Sequence, residues 1–292
     1  MRRITLYDVV ITLLLVLVAL TCLLPLLNTL AISLSDRTSA AVGRVTFWPV
    51  NFTTVAYENI ITEGRFFVAF AVTVRRVLLG VAINLILVIL TSYPLSKTQK
   101  EFRQRNIYIW FIVATMLFSG GLIPSYILVR SIGLLDSVWA LVLPGAVPVF
   151  SVIIMMNFFK GIPKSLEEAA VMDGANPMTV LIRVYIPLSL PSIATISLFS
   201  IVGHWNSFFD GMIYINTQRK QPLATYIQSL TLQINTQQLQ YMTPEEIVKM
   251  LTMSDLTFNS AKVIVAMLPL MVIYPFLQKY FIAGIVLGAV KE

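Results

Sequence analysis

The sequence contains very few of the residues that build catalytic and metal centres. Among its 292 residues there are one histidine, His204, and one cysteine, Cys22. This shortage excludes a disulfide framework, a metal centre made of His and Cys, and a Cys–His nucleophile pair. The phosphate-binding pattern G-x-x-x-x-G-K-[ST] is also missing from the sequence, so the chain cannot hydrolyse ATP through that motif.

Charged residues are scarce as well. They make up 12% of the chain, 57% of it is hydrophobic, and the mean hydropathy is +0.82. Soluble proteins carry about 25% charged residues. Because so few ionic groups cannot cover a soluble surface, most of the surface must face lipid. The composition therefore predicts an all-α polytopic membrane protein that is not an enzyme.

Six apolar stretches meet or approach the roughly 20 residues that a helix needs to cross the hydrocarbon core. They predict six transmembrane helices, at about 9–33, 74–96, 106–130, 137–159, 186–210 and 259–284. The last stretch contains Lys262 and Lys279, whose charged heads we expect to extend to the two membrane interfaces. The stretch 221–244 is uncharged, but its many Gln and Asn residues disfavour insertion and predict a loop.

The short loops predict the orientation, since long loops cross a membrane regardless of their charge. The loop 97–105 is rich in Lys and Arg, whereas the connection after the third span carries only Arg130 and Asp136. This difference predicts that both termini and the 97–105 loop are cytoplasmic. The net charge of +7 suits contact with anionic lipid or an acidic partner, and no feature indicates nucleic-acid binding. We expect one membrane domain over 1–292, with large outer loops at about 36–72 and 217–258.

The connection between the fourth and fifth spans carries signals for helices rather than for an extended loop. Ser165 and Glu168 have the spacing of a capping box, and Gly174 is placed to end a helix about two turns later. Asn176 and Pro177 favour the start of a second short helix. The pattern predicts two short cytoplasmic helices at about 165–185. Two short helices joined by a tight bend suit docking to another protein. The residues leave open an alternative, in which this segment is an amphipathic connector on the membrane surface.

A longer pattern in this connection resembles the E-A-A-x3-G-x9-I-x-L-P signature of ABC importer permeases: Glu168-Ala169-Ala170, three residues, Gly174, nine residues, and Val184-Tyr185-Ile186-Pro187. Val184 and Ile186 depart from the Ile and Leu of the signature but keep the same shape and apolarity. Further blocks are similar to the carbohydrate-uptake branch of type I importers, namely 162–175, Phe47-Trp48-Pro49, 204–209 and 274–281. The C-terminal block resembles maltose-type and oligosaccharide-type permeases, and most of all those for acidic saccharides such as alginate and pectin fragments.

The resemblance implies the type I ABC importer permease fold and a function that is shared among subunits. In this family two permeases pair, each docks on a cytoplasmic ATPase, and an extracytoplasmic solute-binding protein delivers the saccharide. The resemblance implies that the second permease is a different chain and that the complex lies in a bacterial cytoplasmic membrane. It also implies that the ATPases bind ATP and Mg and that this chain binds no cofactor. The ATPase-coupling residues that it implies are Glu168, Ala169, Ala170, Asp173, Gly174 and Pro187.

Polar residues inside a span usually face the interior of a bundle or a cavity, and sugars bind to amides, carboxylates and aromatic faces. The substrate-path candidates are Asn84, Asn157, Trp205, Asn206, Phe208 and Asp210. A hydrogen bond or packing contact between helices is the alternative role for each of them. Arg75 and Arg76 lie at the outer end of the second span. We expect them to flank the span with their charged heads at the membrane interface, rather than to contact an acidic saccharide.

The large outer loop touches the binding protein in the family that the sequence resembles. The contact candidates there are Gln233, Asn235, Gln237 and Gln238, and a plain exposed linker is the alternative. The rival function is a solitary ion-coupled secondary transporter, which needs titratable groups in the membrane. Only His204 and Asp210 approach this requirement, and neither has an evident charged partner within a span. Co-purification with an ATPase and a second permease separates the two functions.

Overall fold

A computed structural model describes residues 6–62, 64–232 and 256–289, and every regular element in these ranges is helical. The α-helices are α1 (Leu6–Ser33), α2 (Arg37–Ala41), α3 (Val55–Thr62), α4 (Gly64–Ser96), α5 (Arg105–Leu117), α6 (Leu122–Ser131), α7 (Val138–Val142), α8 (Val149–Lys160), α9 (Lys164–Met172), α10 (Pro177–Val180), α11 (Ile186–Leu188), α12 (Leu190–Asn206), α13 (Phe209–Tyr214), α14 (Leu223–Leu232) and α15 (Leu256–Ala289). A π-helical segment, Leu181–Tyr185, joins α10 to α11, and 3-10 turns form at Leu143–Gly145 and Gln218–Lys220.

Three helices are long and apolar enough to cross a membrane: Tyr7–Ser33, Gly64–Ser96 and Leu256–Pro275. Three bent helix pairs pass the same test when each pair is taken together. If each pair forms one span, the described residues contain six spans, in agreement with the predicted number.

The bent pairs lie where the sequence predicts continuous spans at 106–130, 137–159 and 186–210. The bends measure 112° between α5 and α6, 50° between the Val138–Gly145 segment and α8, and 81° between the Pro177–Leu188 segment and α12. Glycine and proline explain the breaks. Gly121 precedes α6 with φ +85°, a region that glycine enters without a steric penalty. Pro144, Pro148, Pro187 and Pro191 lie at the other breaks and lack the amide hydrogen that a continuous helix needs.

The two large outer segments contain more helix than a loop prediction allows. The segment 36–72 contains α2, α3 and the first turns of α4, so the second long helix begins ten residues before the predicted start of the span at 74. The stretch 221–244, predicted to be a loop, contains α14. Its amides disfavour insertion into lipid but do not prevent helix formation.

The described residues divide into two compact units, and the prediction of one domain over 1–292 stays a prediction. The first unit contains the described parts of Met1–Phe67 and Tyr226–Pro269. Here α1 exposes the apolar side chains of its most apolar stretch, and Cys22 is exposed as well, whereas Ala31 near the end of the helix is buried. The segment after α1 folds back onto its end, where the Asn28 amide donates to the Thr46 carbonyl oxygen at 2.6 Å.

Lys262 lies in this first unit and is fully buried, so the prediction that its ammonium extends to an interface is wrong. Its Nζ donates to the Tyr226 hydroxyl at 2.9 Å and lies 3.7 Å from the centre of the Phe258 ring. A phenol oxygen and an aromatic face replace water around the charge. The side chain of Lys279 lies outside the described residues.

The second unit contains the described parts of Val68–Thr225 and Leu270–Glu292. Its core is a cluster of buried apolar side chains drawn from α4, α8, the π-helical segment and α12, among them Val88, Met155, Phe159, Tyr185 and Ile196. This unit contains α9 and most of the sequence-predicted site residues.

Candidate coupling and substrate-path sites

The helix α9 begins immediately after Pro163, which occupies the N-cap position without a side-chain hydrogen bond. The predicted capping box of Ser165 and Glu168 is therefore wrong. Because the helix starts one residue earlier than predicted, Ser165 is already inside the first turn and cannot accept the hydrogen bonds that a cap supplies.

The end of α9 and the start of α10 agree with the sequence signals. Gly174 follows the helix with φ +82°, its amide donates to the Val171 oxygen at 2.9 Å, and the Ala175 amide donates to the Ala170 oxygen at 2.9 Å. This pair of bonds is the Schellman termination. Asn176 then caps α10 by accepting from the Thr179 amide at 2.8 Å. A sharp, fully bonded bend thus separates the two short helices.

The two faces of α9 differ in exposure. Four of the predicted coupling residues, Glu168, Ala169, Asp173 and Gly174, are exposed, and Met172 next to them is 86% exposed. Ala170 is half-buried and packs on the core cluster of the second unit, and Pro187 lies apart from α9 in α11, with its side chain exposed. The exposed residues include two carboxylates, Glu168 and Asp173, and small residues that permit close approach by another protein surface.

Glu167, which the sequence analysis did not single out, holds the other face of α9 to the rest of the unit. Its carboxylate forms an ion pair with Lys97, just after α4, and accepts from the Tyr185 hydroxyl at 2.7 Å. Lys97 Nζ also lies 4.3 Å and 4.6 Å from the ring centres of Tyr93 and Tyr185. Lys97 and Glu167 are 70 residues apart in the sequence, so no local pattern reveals the contact.

A second ion pair connects α9 to the 97–105 loop, at an exposed position. Lys164 Nζ lies 3.1 Å from Glu101 Oε1, and both side chains are about half exposed. The Thr98 amide and the Lys164 ammonium lower the pKa of Glu101 to about 2. The carboxylate is therefore ionised throughout the physiological pH range. Exposed pairs of this kind contribute little stability.

Asn84 lies at a cavity of about 300 Å³ in the second unit, and all of its hydrogen-bonding capacity is used. Its Nδ2 donates to the Gly145 and Ala146 oxygens at 3.0 and 2.9 Å. Its Oδ1 accepts from the Ser200 hydroxyl at 2.7 Å and lies 2.9 Å from His204 Nε2. Since an amide oxygen only accepts, Nε2 is the donor. This network favours the helix-packing role for Asn84.

Asp210 lines the same cavity and forms an ion pair with Arg76, whose side chain is 2% exposed. Arg76 Nη1 donates to Asp210 Oδ1 at 3.2 Å and to the Ser207 oxygen at 3.0 Å, and Nη2 donates to the Leu141 oxygen at 3.4 Å. Two sequence-based expectations are thus wrong: Arg76 does not extend to the interface, and Asp210 does have a charged partner. The two residues are 134 positions apart, which hides the pair from sequence inspection.

The other substrate-path candidates lie away from this cavity. Trp205 is buried and packs edge-on against Phe70, with the ring centres 5.8 Å apart. Asn157, Asn206 and Phe208 are exposed. The structure therefore brings Asn84 and Asp210 together with Arg76 and His204, and it does not bring all of the stretch 205–210 to one surface.

A second cavity, of about 280 Å³, is lined by Arg75, Asp136, Trp139 and Lys220 together with apolar and hydroxyl groups. Asp136 accepts from the Thr217 amide at 2.9 Å and forms an ion pair with Lys220 at 2.8 Å. Arg75 is exposed and forms no ion pair within the part of the chain that the structure describes. The cavity thus combines two cations, one anion and an aromatic ring that is 41% exposed.

The predicted contacts for a binding protein, Gln233, Asn235, Gln237 and Gln238, lie outside the described residues. They stay predictions.

Comparison with known proteins identifies the family. The sequence is 36% identical over 293 residues to the polygalacturonan/rhamnogalacturonan transport system permease protein YtcP of Bacillus subtilis (strain 168), with 98% of each chain covered. The chain belongs to the family of sugar permeases of ABC importers. This permease is therefore a membrane-embedded transport subunit. The family that the sequence resembles and the predicted fold class are confirmed, and the roles of the E-A-A residues stay predictions.

Solved structures support the same assignment. A chain in the crystal structure of a bacterial ABC transporter involved in the import of the acidic polysaccharide alginate is 32% identical and matches with a TM-score of 0.84, covering 96% of this permease and 98% of that chain. A chain in the alginate transporter complex with a pentasaccharide-bound periplasmic protein has a TM-score of 0.51 at 17% identity, covers 78% of this permease and 81% of that chain, and supports the fold alone. No model of a protein family matches the sequence.

Proposed function

We propose that this permease docks on a separate cytoplasmic ATPase through the exposed face of α9 and has no ATPase site of its own. The observation that carries the proposal is the division of α9 into two faces. Glu168 in α9 is exposed, as are Asp173 and Gly174 directly after it, whereas Glu167 anchors the other face of the helix. In this assembly Glu168 pairs with a cationic group of the ATPase. ATP and Mg are bound by the ATPases, and this chain binds no cofactor.

The proposed assembly contains this permease, a second and different permease, two ATPases and an extracytoplasmic solute-binding protein. A structure of the same fold was crystallised with a periplasmic protein that carries a pentasaccharide, and the proposed route uses a binding protein of this kind. The proposed location is the bacterial cytoplasmic membrane with both termini inside. The ion pairs from the basic 97–105 loop to α9 support this orientation, because they require the loop and the ATPase-docking helix to lie on the same side.

The proposed substrate is an acidic oligosaccharide. The names of the relatives, which mention polygalacturonan and alginate, support this class. The cavity at Arg75 supports it chemically: an exposed arginine that has no ion-pair partner among the described residues shares this cavity with the partly exposed Trp139, and this combination suits a carboxylated sugar ring. Arg76 is less suited to this contact, because Asp210 already neutralises it.

Gly174→Asp tests the docking proposal. The glycine has open space around its Cβ position, and Asp tolerates positive φ better than most residues, so we expect the permease itself to fold. A new carboxylate on the docking face should abolish ATPase co-purification or reduce ATP-driven uptake at least tenfold. Gly133→Asp is the matched control, since Gly133 has φ +72°, equally open space and a position outside α9.

Normal ATPase co-purification and uptake in Gly174→Asp would contradict the docking role of α9. Uptake by the purified permease alone, driven by an ion gradient without an ATPase, would instead support a solitary secondary transporter.

A further inference from the structure

The exposed face of α9 explains how an ATPase binds, but movement of this helix must also reach the membrane helices. Three residues connect the buried side of α9 to them: Glu167, Lys97 and Tyr185, which we call the inner link. Lys97 follows α4 directly, and Tyr185 ends the π-helical segment that leads toward α12. The inner link therefore ties α9 to two separate membrane-spanning elements at one point.

Each pair within the inner link makes a direct contact. Glu167 is ion-paired with Lys97 and accepts from Tyr185 at 2.7 Å, and Lys97 Nζ lies 3.3 Å from the Tyr185 hydroxyl. The Lys97 and Glu167 side chains are 14% and 22% exposed. A closed triangle of charge-assisted bonds with little water access resists rearrangement more strongly than a single exposed pair.

The inner link continues into an aromatic cluster. The Tyr185 ring lies 5.1 Å from Tyr93 of α4 and 5.3 Å from Phe159 of α8, both in edge-to-face geometry. All three rings are at most 9% exposed and belong to the core cluster that also contains Val88 and Ile196. Because close-packed interiors transmit displacement with little compression, a shift of α9 moves α4, α8 and the start of the fifth span together.

We infer that the inner link is the element that transmits ATPase-driven movement of α9 to the membrane helices. Lys97, Glu167 and Tyr185 are thus positioning residues for transport, acting through α9 and not through contact with substrate or ATP. The inference rests on the proposed docking of an ATPase on α9. The Lys164–Glu101 pair also joins α9 to the 97–105 loop, but it is exposed and makes no hydrogen bond to the π-helical segment, so it serves as the internal comparison.

The test uses the full complex of both permeases, ATPase and binding protein in proteoliposomes, with labelled oligogalacturonides as probe. For each variant, the sugar taken up per ATP hydrolysed is measured, together with the ATPase content of the purified complex. We expect the Glu167→Gln and Tyr185→Phe complexes to assemble and to hydrolyse ATP. We expect the sugar taken up per ATP hydrolysed to fall roughly fivefold or more, since fivefold is the lower end of the effects that coupling between two sites produces. Lys164→Met is the matched control and should keep the native ratio.

A double variant tests whether Lys97 and Glu167 act as one unit. If Lys97 and Glu167 act through each other, Lys97→Met combined with Glu167→Gln should lower the ratio no further than either single change. Native ratios in Glu167→Gln and Tyr185→Phe would overturn the inference. So would loss of ATPase from these two variants but not from Lys164→Met, since the inner link would then only build the docking surface.

Failure of the proposed function gives a different result. In that case the native complex itself contains no ATPase or shows no ATP-driven uptake, whereas failure of the inner link leaves the native complex active and the variants equal to it.

Discussion

At the scale of single residues, two polar side chains within the predicted spans bond backbone carbonyl groups at the ends of helices. Asn84 bonds the oxygens of Gly145 and Ala146, and Arg76 bonds the oxygens of Ser207 and Leu141. A carbonyl group without a partner is costly where water is excluded, so a broken helix in a membrane needs such donors. These residues therefore permit breaks in the helices, in addition to any contact with the transported sugar.

Replacing Asn84 with leucine tests this role. Two carbonyl groups lose their donor and two donors lose their acceptor, so we expect destabilisation of about 1–3 kcal/mol for each group left without a partner. The measurement is thermal unfolding of the purified complex in detergent, in which Asn84→Leu should melt several degrees lower. Asn157→Leu is the matched control, since Asn157 is exposed, and its melting temperature should not change.

Equal melting temperatures for native protein and Asn84→Leu, with a loss of uptake, would instead make Asn84 a substrate contact. A loss of uptake in Asn157→Leu without a stability change would support the predicted role of Asn157 in the substrate path.

At the scale of elements, Asp136 connects the segment after α6 to the segment before α14. Asp136, itself at φ +58°, accepts from the amides of Asn216 and Thr217 at 3.1 and 2.9 Å and pairs with Lys220. Lys220 and the Thr217 amide hold the pKa of Asp136 well below its usual range. The carboxylate thus fixes the local shape of the cavity that contains Arg75 and Trp139.

This tether predicts a defined pH dependence. Because the folded pKa of Asp136 is depressed, its contribution is complete above the ordinary Asp value near 3.8 and is lost only as the pH falls through the lower folded value. Hydrogen-exchange protection of 216 and 217, corrected for intrinsic rates, should therefore not change between about pH 7 and pH 5. Asp136→Asn removes the ion pair and should reduce this protection at neutral pH. Lost protection in the native protein already at pH 5 would contradict the assignment.

The elements also show what can be predicted from sequence. Apolar length is a local property, so six spans follow from counting, and the pair Gly174 and Asn176 marks the bend after α9 correctly. A window that averages hydropathy does not detect where a span breaks, although Gly121 and Pro144 were available as signals. The partners of Glu167 and Arg76 lie 70 and 134 residues away, and such contacts follow only from the fold.

At the scale of the whole molecule, the net charge of +7 matters less than where unpaired cations lie. Arg76, Lys97 and Lys262 are enclosed and have partners. Arg75 lies exposed at the cavity lined by Trp139 and forms no ion pair with any residue that the structure describes, whereas Lys220 at the same cavity is paired with Asp136. Selectivity for acidic sugars should therefore depend on Arg75 more than on the total charge.

Arg75→Gln tests this selectivity. Uptake of an acidic oligosaccharide should fall roughly fivefold, the effect of about 1 kcal/mol from one exposed charge, and the loss should shrink as salt is added. Uptake of a neutral oligosaccharide of equal length should not change. Arg130→Gln removes another exposed arginine and should leave both rates as in the native permease. An equal decrease in the uptake of acidic and neutral sugars would show that Arg75 does not discriminate between substrates by their charge.

The exposed cysteine on α1 has a practical consequence for measuring motion. Since Cys22 is the one thiol of the chain and its side chain is exposed, replacing it with serine leaves no void and gives a thiol-free background. Spin labels attached to new cysteines at Met178, which is exposed on α10, and at an exposed position of α5 would then report, by pulsed electron paramagnetic resonance, how the distance between these two helices changes between states of the transport cycle.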